Sequence, residues 1–488
     1  MSNVIVGIDL GTTMSVLAYI DPKGLGKPEI SKTQEGLHLT PSRICFGDDE
    51  IKVGIKNCPN GLLAKEFKRD MGNKEYQFTA YDNTYSPIEL SSFVLEKLKN
   101  DAISSGLAVH DVVITVPAYF DEIRRSATKK AGELAGLNVV SVINEPTAAA
   151  LFYALNVDKK VNGKVLVYDL GGGTFDVTIM NLNGSDVDIV ASGGNALLGG
   201  ADFDQLIIEI LKEKYIQEVG SGLPYEDDDE QEEFELSAEE IKKILSQDDS
   251  FSVKLRGTNG KAKITISRNE FEEKMQNYLQ GINISIESVL EEANLRPENI
   301  DHILMVGGST RIPIIKEEIQ KLIGKEPITT LDVDESVAKG AALKASMIKV
   351  EDNPDSVSSA IRREAEKINI SEVATVSFGT ITIDSHTDKE KNVIIIGKNT
   401  KIPCTEFGTF STIGEGQTQV DVSITTGESE NPKEVTLVDK FTLNLPGGRP
   451  SGQPIKITYS YTGDQSLRCI AEDVSTGKTK EYLANKVI

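Results

Sequence analysis

Two stretches of this chain spell the same device. "VIVGIDLGTTMSVLAYID" (residues 4–21) and "KVLVYDLGGGTFDVTIMN" (164–181) each run an apolar strand into an Asp, a Gly/Thr turn and a second apolar strand. Glycines in such a turn leave backbone N–H groups bare and able to converge on an anion, because no Cβ blocks the approach. Phosphate is the natural guest. No P-loop ending in Gly-Lys-Ser/Thr sits at a strand-to-helix junction and no Gly-x-Gly-x-x-Gly opens a helix, so those two phosphate-binding readings lack their signatures. Here a strand follows the turn, which makes each device a hairpin. One hairpin with Gly at its tip needs no functional reading. Two are different: each ends its first strand in an Asp (Asp9, Asp169) and follows it with threonine (Thr12, Thr13; Thr174). Carboxylates suit Mg2+ and hydroxyls suit phosphate oxygens. Two such hairpins facing each other across a cleft would grip one polyphosphate from both sides, one per lobe.

The remaining text fits a multi-domain α/β protein. At 488 residues the chain exceeds one ordinary core, so two to four domains are expected. Strand patterns at 4–9, 112–116, 165–169 and 303–306 alternate with helical stretches such as 88–102 and 121–135, which is α/β architecture. The small residues of 338–344 at helical spacing predict a helix packed close to a neighbour. Residues 352–370 are polar, yet Val357, Ile361, Ala365 and Ile368 recur at helical spacing, so this connector should carry a short amphipathic helix. From Val373 onward, short alternating runs separated by Gly, Asn, Asp and Pro turns predict an antiparallel β domain. The stretch "EDDDEQEEFE" (226–235) reads as a solvated acidic loop.

Composition removes several classes of function. A net charge of -23, from 75 acidic against 52 basic residues, would repel a polyanion, so nucleic acid is not an expected partner. Cys45, Cys58, Cys404 and Cys469 lie far apart with no Cys-x-x-Cys, so neither a disulfide framework nor a zinc site is expected, and a reducing cytoplasm fits. His38, His110, His302 and His386 are equally scattered and read as surface or core histidines, with no transition-metal site. The N-terminus has no basic n-region and no apolar run approaches the roughly 20 residues of a spanning helix, so neither a secretion signal nor a membrane partner is expected.

The longer motifs "GIDLGTTMS", "VVITVPAYFDEIRRSATKKAGELAG", "VINEPTAAAL", "VYDLGGGTFDVTI", "LGGADFD" and "ILMVGGSTRIPII" resemble the seventy-kilodalton heat-shock (DnaK-type) chaperone family, within the actin and hexokinase ATPase fold. Residues 1–348 are similar to its two-lobed nucleotide-binding ATPase domain and 349–372 to a linker. Residues 373–488 are similar to its β-sandwich peptide-binding domain, through "KNTKIP" and "FSTIGEGQTQVDV". The resemblance implies an enzyme that hydrolyses ATP to ADP and phosphate with Mg2+, K+ being a candidate companion. It also implies that the cycle drives binding and release of unfolded or extended hydrophobic polypeptides, with a J-domain co-chaperone and a nucleotide-exchange factor as partners.

Residue by residue, the resemblance gives Asp9 and Asp169 the hydrated Mg2+, and Gly11, Thr12, Thr13, Gly171, Gly172, Gly173 and Thr174 the phosphates. Lys68, in "EFKRDMG", is similar to the family lysine that reaches the γ-phosphate and helps place the attacking water. A lysine suits phosphoryl transfer, which is mostly positioning and charge neutralisation. Glu145 and Asp176 resemble the remaining acidic members, for water and cation contacts. Glu239, Lys242, Lys243 and Ser246 resemble the segment over ribose and base, although "EEIKKILS" is equally an ordinary amphipathic helix. Gly308, Ser309, Arg311 and Asp334 resemble the opposite wall, with the Arg311 guanidinium stacked on adenine. Ile383, Phe410, Ile413, Val420 and Val422 fall where the family lines its peptide pocket, positions that sandwich-core packing would fill as well.

Several positions depart from the family pattern. Its linker is a run of leucines ending in Asp; here Ile368-Asn369-Ile370-Ser371-Glu372 interleaves polar residues, and altered domain coupling is expected. Pro117 and Arg125 match the family's relay pair, while Ser141 stands where an arginine is usual. Ala201 replaces a glutamate, and Asp332-Val333-Asp334 replaces Asn-Pro-Asp. The family's helical lid has no counterpart after the last sandwich-like strand, so bound peptide is expected to dissociate quickly. Intact Lys68, Glu145, Asp169 and Thr174 favour the enzyme. The altered linker and missing lid favour a second reading, a nucleotide-gated scaffold with little turnover. A filament-forming actin relative is disfavoured, because the appended β domain has no place in that architecture.

Overall fold

The computed structural model describes residues 2–48, 50–59, 61–156, 162–184, 186–329, 333–366, 368–384, 387–463 and 466–483. His386 and Asp332 lie outside them. The chain forms two compact units.

The first unit comprises Met1–Ala118, Thr128–Val187 and Gly193–Asn369. Its opening hairpin is β1 (Ile5–Asp9) and β2 (Met14–Ile20). A small antiparallel sheet follows: β3 (Arg43–Phe46) lies between β4 (Ile51–Val53) and β5 (Leu62–Lys65). Next come β6 (Asp111–Val116), β7 (Asn138–Asn144) and helix α1 (Glu145–Asn156). β1 pairs antiparallel with β2 and parallel with β6, which pairs parallel with β7. The second hairpin is β8 (Gly163–Leu170) and β9 (Phe175–Asn183), with Asp169 opposite Asp176. It is followed by α2 (Gly200–Val219), α3 (Asp228–Leu245), and β10 (His302–Val306), which pairs parallel with β8. The duplication seen in the sequence is therefore a duplication of topology. Each hairpin carries a parallel neighbour on the outer side of its first strand.

β1 is apolar on both faces because both are covered, the pattern of a strand inside an α/β layer. Val6 and Ile8 are fully buried. Helix α4 (Ser336–Asp352) provides part of the cover through Ala338, Ala341 and Ala342, and it comes very close. A Cβ on Gly7 would sit 2.0 Å from the backbone nitrogen of Ala342. The unit ends with the short helix α5 (Ser359–Ala365), capped by the Ser358 hydroxyl accepting from the Ile361 N–H at 3.3 Å and burying Ile361 and Ala365.

Two features differ from what the sequence pattern implies. The acidic stretch 226–235 is not a loop: from Asp228 it is the start of α3. The Asp227 carboxylate accepts from the Glu230 N–H at 2.9 Å, and acidic residues in a first turn complement the helix dipole. Phe234, Ala238, Ile241 and Leu245 bury one side of this helix. Charge density hid that periodicity. Second, Cys45 and Cys58 are joined by a disulfide. They lie thirteen positions apart with no recognisable spacing, and they meet, Cα atoms 5.3 Å apart, because the turn after β4 folds back over β3. Cys404 and Cys469 are free thiols.

The second unit comprises Tyr119–Ala127, Asp188–Ser192 and Ile370–Ile488. Its body is antiparallel β: β11 (Phe378–Ile383), β12 (Glu390–Ile396), β13 (Cys404–Ser411), β14 (Gln419–Thr426), β15 (Thr436–Asn444), β16 (Pro454–Tyr461), β17 (Leu467–Asp473) and β18 (Lys478–Leu483). They form two four-stranded sheets, ordered β12-β11-β14-β15 and β13-β16-β17-β18. One core, including Phe378, Val422, Ile424, Ile457, Tyr459 and Tyr461, joins them. Tyr459 satisfies its buried hydroxyl by donating to the Gly379 carbonyl at 2.7 Å. Alternate side chains of strands such as β16 and β17 thus point into one shared interior, as in a sandwich. Among the described residues no helix is long and apolar enough to cross a membrane.

Candidate nucleotide site

The two hairpin tips meet. A Cβ on Gly172 would lie 2.1 Å from the Thr13 hydroxyl oxygen, and one on Gly173 would lie 2.4 Å from Cγ2 of Thr12. The turns therefore interlock, and glycine is required at both positions. The first turn is fixed from beneath by two buried serines that the sequence reading missed. The Ser15 hydroxyl accepts from the Gly11 N–H at 3.1 Å, and the Ser42 hydroxyl donates to the Gly11 carbonyl at 2.8 Å. Nothing in the local pattern around Ser42 marks this role, since its partner lies 31 residues away.

Beside the interlocked tips lies a cavity of about 670 Å3, within the range of small-molecule sites. Its wall includes every residue assigned above to nucleotide, Mg2+ or catalysis except Gly173 and Asp176. Gly173 lies just behind: its carbonyl accepts from Arg69 Nε at 3.1 Å, and Arg69 Nη2 reaches the Asp202 carboxylate at 2.6 Å. Asp176 is fully buried, with Oδ1 accepting from the Ala118 N–H at 2.9 Å. Met14, Leu39 and Arg43 also line the cavity and carried no sequence signal.

The polar end is strongly acidic. Lys68 donates to Glu145 at 2.6 Å, and both side chains are buried. Burial, then the charge of Glu145, pushes the Asp9 carboxyl up to about 7, against the pull of Lys68 and of the Thr115 hydroxyl, which donates to it at 2.9 Å. Burial, then Glu145, Asp176 and Asp9, holds the Asp169 carboxyl well above the usual range. Buried carboxylates that outnumber their lysine are short of positive charge, and a hard divalent cation with oxygen preference is the natural remedy. Among the described residues no three such side chains converge closely enough to hold a bare ion. Mg2+ fits this arrangement, because it keeps several of its own waters.

The other end is built by α3 and by the turn Gly308–Arg311. Glu239, Lys242, Lys243 and Ser246 share one stripe of α3. Lys242 donates to the Gly200 carbonyl at 2.8 Å, Lys243 to Glu239 at 2.6 Å, and Ser246 to the Lys242 carbonyl at 2.9 Å. Opposite, Ser309 donates to the Gly171 carbonyl at 2.8 Å, and Arg311 is held by Asp334 at 2.8 Å. Gly308 lies beside the same carboxylate, an added Cβ being 2.9 Å from Asp334 Oδ1.

The five apolar candidates of the second unit separate. Val422 is fully buried in the core, Phe410 and Val420 pack half-buried against it, and Ile383 and Ile413 are exposed.

A cavity of this size, walled by two phosphate-seeking turns and a charge-starved carboxylate cluster, belongs to a nucleotide-hydrolysing enzyme, here with an antiparallel β unit attached. The family model described as Hsp70 protein matches residues 5–74 and 55–486. The chain is similar to proteins named chaperone protein DnaK from Thermotoga petrophila and Thermotoga neapolitana, each 36% identical over 494 residues, covering 98% of this chain and 80% of the relative. A chaperone protein DnaK from Thermosipho melanesiensis is 36% identical over 497 residues, covering 99% and 80%. The chain belongs to the Hsp70 family. It is an ATP-dependent chaperone and an ATPase that uses nucleotide and Mg2+.

Proposed function

We propose that residues 1–348 form a two-lobed ATPase domain of the actin and hexokinase type, one lobe per hairpin, and that 349–372 links it to a peptide-binding β-sandwich at 373–488. The interlocking of the two glycine turns beside one cavity carries this reading. A triphosphate laid across the tips would meet the N–H groups and hydroxyls of Gly11 to Thr13 from one side and of Gly171 to Thr174 from the other. Asp9, Asp169 and Asp176 would hold Mg2+, mostly through its waters, with K+ as a companion near the same carboxylates. The metal supplies charge neutralisation at the phosphates. Lys68, kept oriented by Glu145, points a cation at the terminal phosphate, and Glu145 accepts from the attacking water; both act by position and charge. The walls at Glu239 to Ser246 and Gly308 to Asp334 take the adenosine, with the flat Arg311 guanidinium on the base.

Hydrolysis in this reading switches the grip of the second unit on extended hydrophobic polypeptide. Exposed Ile383 and Ile413 are the first contacts, and Phe410, Val420 and Val422 shape the floor. A J-domain co-chaperone and a nucleotide-exchange factor would set the pace, in a cytoplasmic setting. The testing experiment is the steady-state ATPase rate with Mg2+, with and without excess of a short Leu-rich extended peptide. Acceleration by peptide supports the coupled chaperone cycle. Turnover indifferent to peptide would sink coupling and favour a nucleotide-gated binder, the reading suggested by the polar residues Asn369 and Ser371 in the linker.

A further inference from the structure

Three contacts join the small sheet β4-β3-β5 to helix α3 at the rim of the nucleotide cavity. Arg43 lies 3.5 Å from Glu239, Lys65 lies 2.9 Å from Glu235, and the backbone N–H of Cys58 donates to Glu232 at 2.7 Å. Glu232, Glu235 and Glu239 fall at i, i+3 and i+7, one stripe of the helix, so the acidic stretch has a directed face rather than a merely solvated one. Arg43, Lys65 and Glu239 also line the nucleotide cavity, and the same clasp encloses a smaller void of about 40 Å3 beside it.

Of the three contacts, only that of Cys58 comes from the main chain, and a covalent bond sets its position. The disulfide ties the turn between β4 and β5 to Cys45, midway along β3. Both cysteines are buried, at 6% and 1% exposed, and Gly61 packs directly on the bond: a Cβ there would sit 2.7 Å from one sulfur and 2.9 Å from the other. We propose that Cys45 and Cys58 form a thiol–disulfide exchange site that sets how fast nucleotide leaves the cavity. Oxidised, the pair holds the Cys58 N–H on Glu232 and keeps the rim closed; reduced, the turn is released and the clasp loosens. This rests on the placement of nucleotide proposed above. The reactant is a dithiol, small or carried by a protein. One of its thiolates attacks a sulfur of the pair to give a mixed disulfide, and its second thiol resolves that bond. Two electrons and two protons pass to Cys45 and Cys58, and the reductant leaves as a disulfide.

Two physical arguments favour a responsive bond over an inert one. Disulfides in reducing compartments are usually transient or redox-sensing. The buried sulfurs can be attacked only when the rim opens, so nucleotide and reductant are coupled: if reduction weakens nucleotide binding by some factor, nucleotide opposes reduction by the same factor.

The test is stopped-flow release of a fluorescent ADP analogue from the full chain, oxidised and after dithiothreitol, for the wild type and Glu232→Ala, which removes the acceptor of the Cys58 N–H, with mass spectrometry of alkylated Cys45 and Cys58. Reduction should speed release about fivefold or more, within the usual span of coupling between two sites. Oxidised Glu232→Ala should reproduce most of that acceleration, reduction should add little to it, and saturating ADP should slow alkylation at Cys45 and Cys58. Equal release in both redox states, an undiminished response in Glu232→Ala, or free thiols at both positions before reduction would each overturn the proposal. Failure to bind nucleotide in either state would instead sink the site reading, and this inference with it.

Discussion

Lys68 and Glu145 show how much hangs on one buried pair. Their 2.6 Å contact is shielded from solvent, so removing one member strands the other, a loss typically about 3–5 kcal/mol. Lys68→Ala should therefore lower the unfolding midpoint, and Lys68→Ala with Glu145→Gln should recover part of it. The single variant should abolish turnover yet keep nucleotide affinity within about tenfold, ~1.4 kcal/mol, because the base and the other phosphate contacts remain. Single-turnover hydrolysis at the wild-type rate would remove Lys68 from the mechanism. Asp9 makes a prediction about pH. With its carboxyl raised to about 7, the folded protein holds a proton there that the unfolded chain, titrating near 4, has already lost. This group's contribution to stability is thus full below pH 4 and declines as pH rises through 7. If Asp9 helps hold Mg2+ as proposed, the metal needs the ionised form, so Mg-ADP binding should release protons and tighten from pH 6 to pH 8, a trend Asp9→Asn should flatten. Calorimetry in buffers of different ionisation enthalpy reads this directly; affinity independent of pH with no proton release would contradict it. The residues proposed to carry the chemistry could be named from the sequence because their pattern is local in the chain. Ser42 and Arg69 could not, because each acts on a partner far along the sequence, Ser42 on Gly11 and Arg69 on Gly173 and Asp202.

At the scale of elements, helix-to-strand distance decides what a glycine is for. Gly7 lies where α4 crosses β1, and an added methyl would meet backbone that cannot rotate away. Gly7→Ala should destabilise the first unit by about 2 kcal/mol or more, the cost of overpacking. Gly281 sits inside the helix Arg268–Glu292 with open space around its missing Cβ, so Gly281→Ala should stabilise by about 0.5–1 kcal/mol. Denaturant unfolding of the two variants must give opposite signs; a stabilised Gly7→Ala would mean that α4 does not approach β1 this closely. Hydrophobic period made most strands readable, and small-residue spacing announced α4. The beginning of α3 escaped because its acidic residues looked like solvated loop, although an Asp cap and a buried Phe234, Ala238, Ile241 and Leu245 stripe are ordinary helix grammar. The disulfide escaped for a different reason: proximity of Cys45 and Cys58 is a product of the β3–β4 register, and no spacing rule encodes it.

For the whole molecule, the repeated hairpin foretold the repeated sheet topology, whereas communication between the units has no comparable signature. The candidate connection is the strand Asn369–Val373, whose Glu372 and Val373 pair with Ile402 and Lys401. Ile368 and Ile370 alternate with the polar Asn369 and Ser371 at its start, so this segment is less apolar than a strand buried on both faces. If the apolar content of this segment limits how far nucleotide state reaches the β unit, Asn369→Leu with Ser371→Leu should strengthen coupling. Each new leucine that becomes buried in one nucleotide state and not in the other adds up to about 1.5–3 kcal/mol of bias toward that state. The expected outcome is a larger ratio of peptide-stimulated to basal ATPase, together with a larger change in peptide affinity between ATP and ADP. Linkage constrains the affinities: peptide must shift the preference for ATP over ADP by the same factor by which nucleotide shifts peptide affinity, while the ATPase ratio is the kinetic readout of the same coupling. A rise in basal ATPase alone, with peptide affinity unchanged by nucleotide, would mean that the segment acts on the ATPase site without reaching the β unit, and the coupling route would have to be sought elsewhere in the chain.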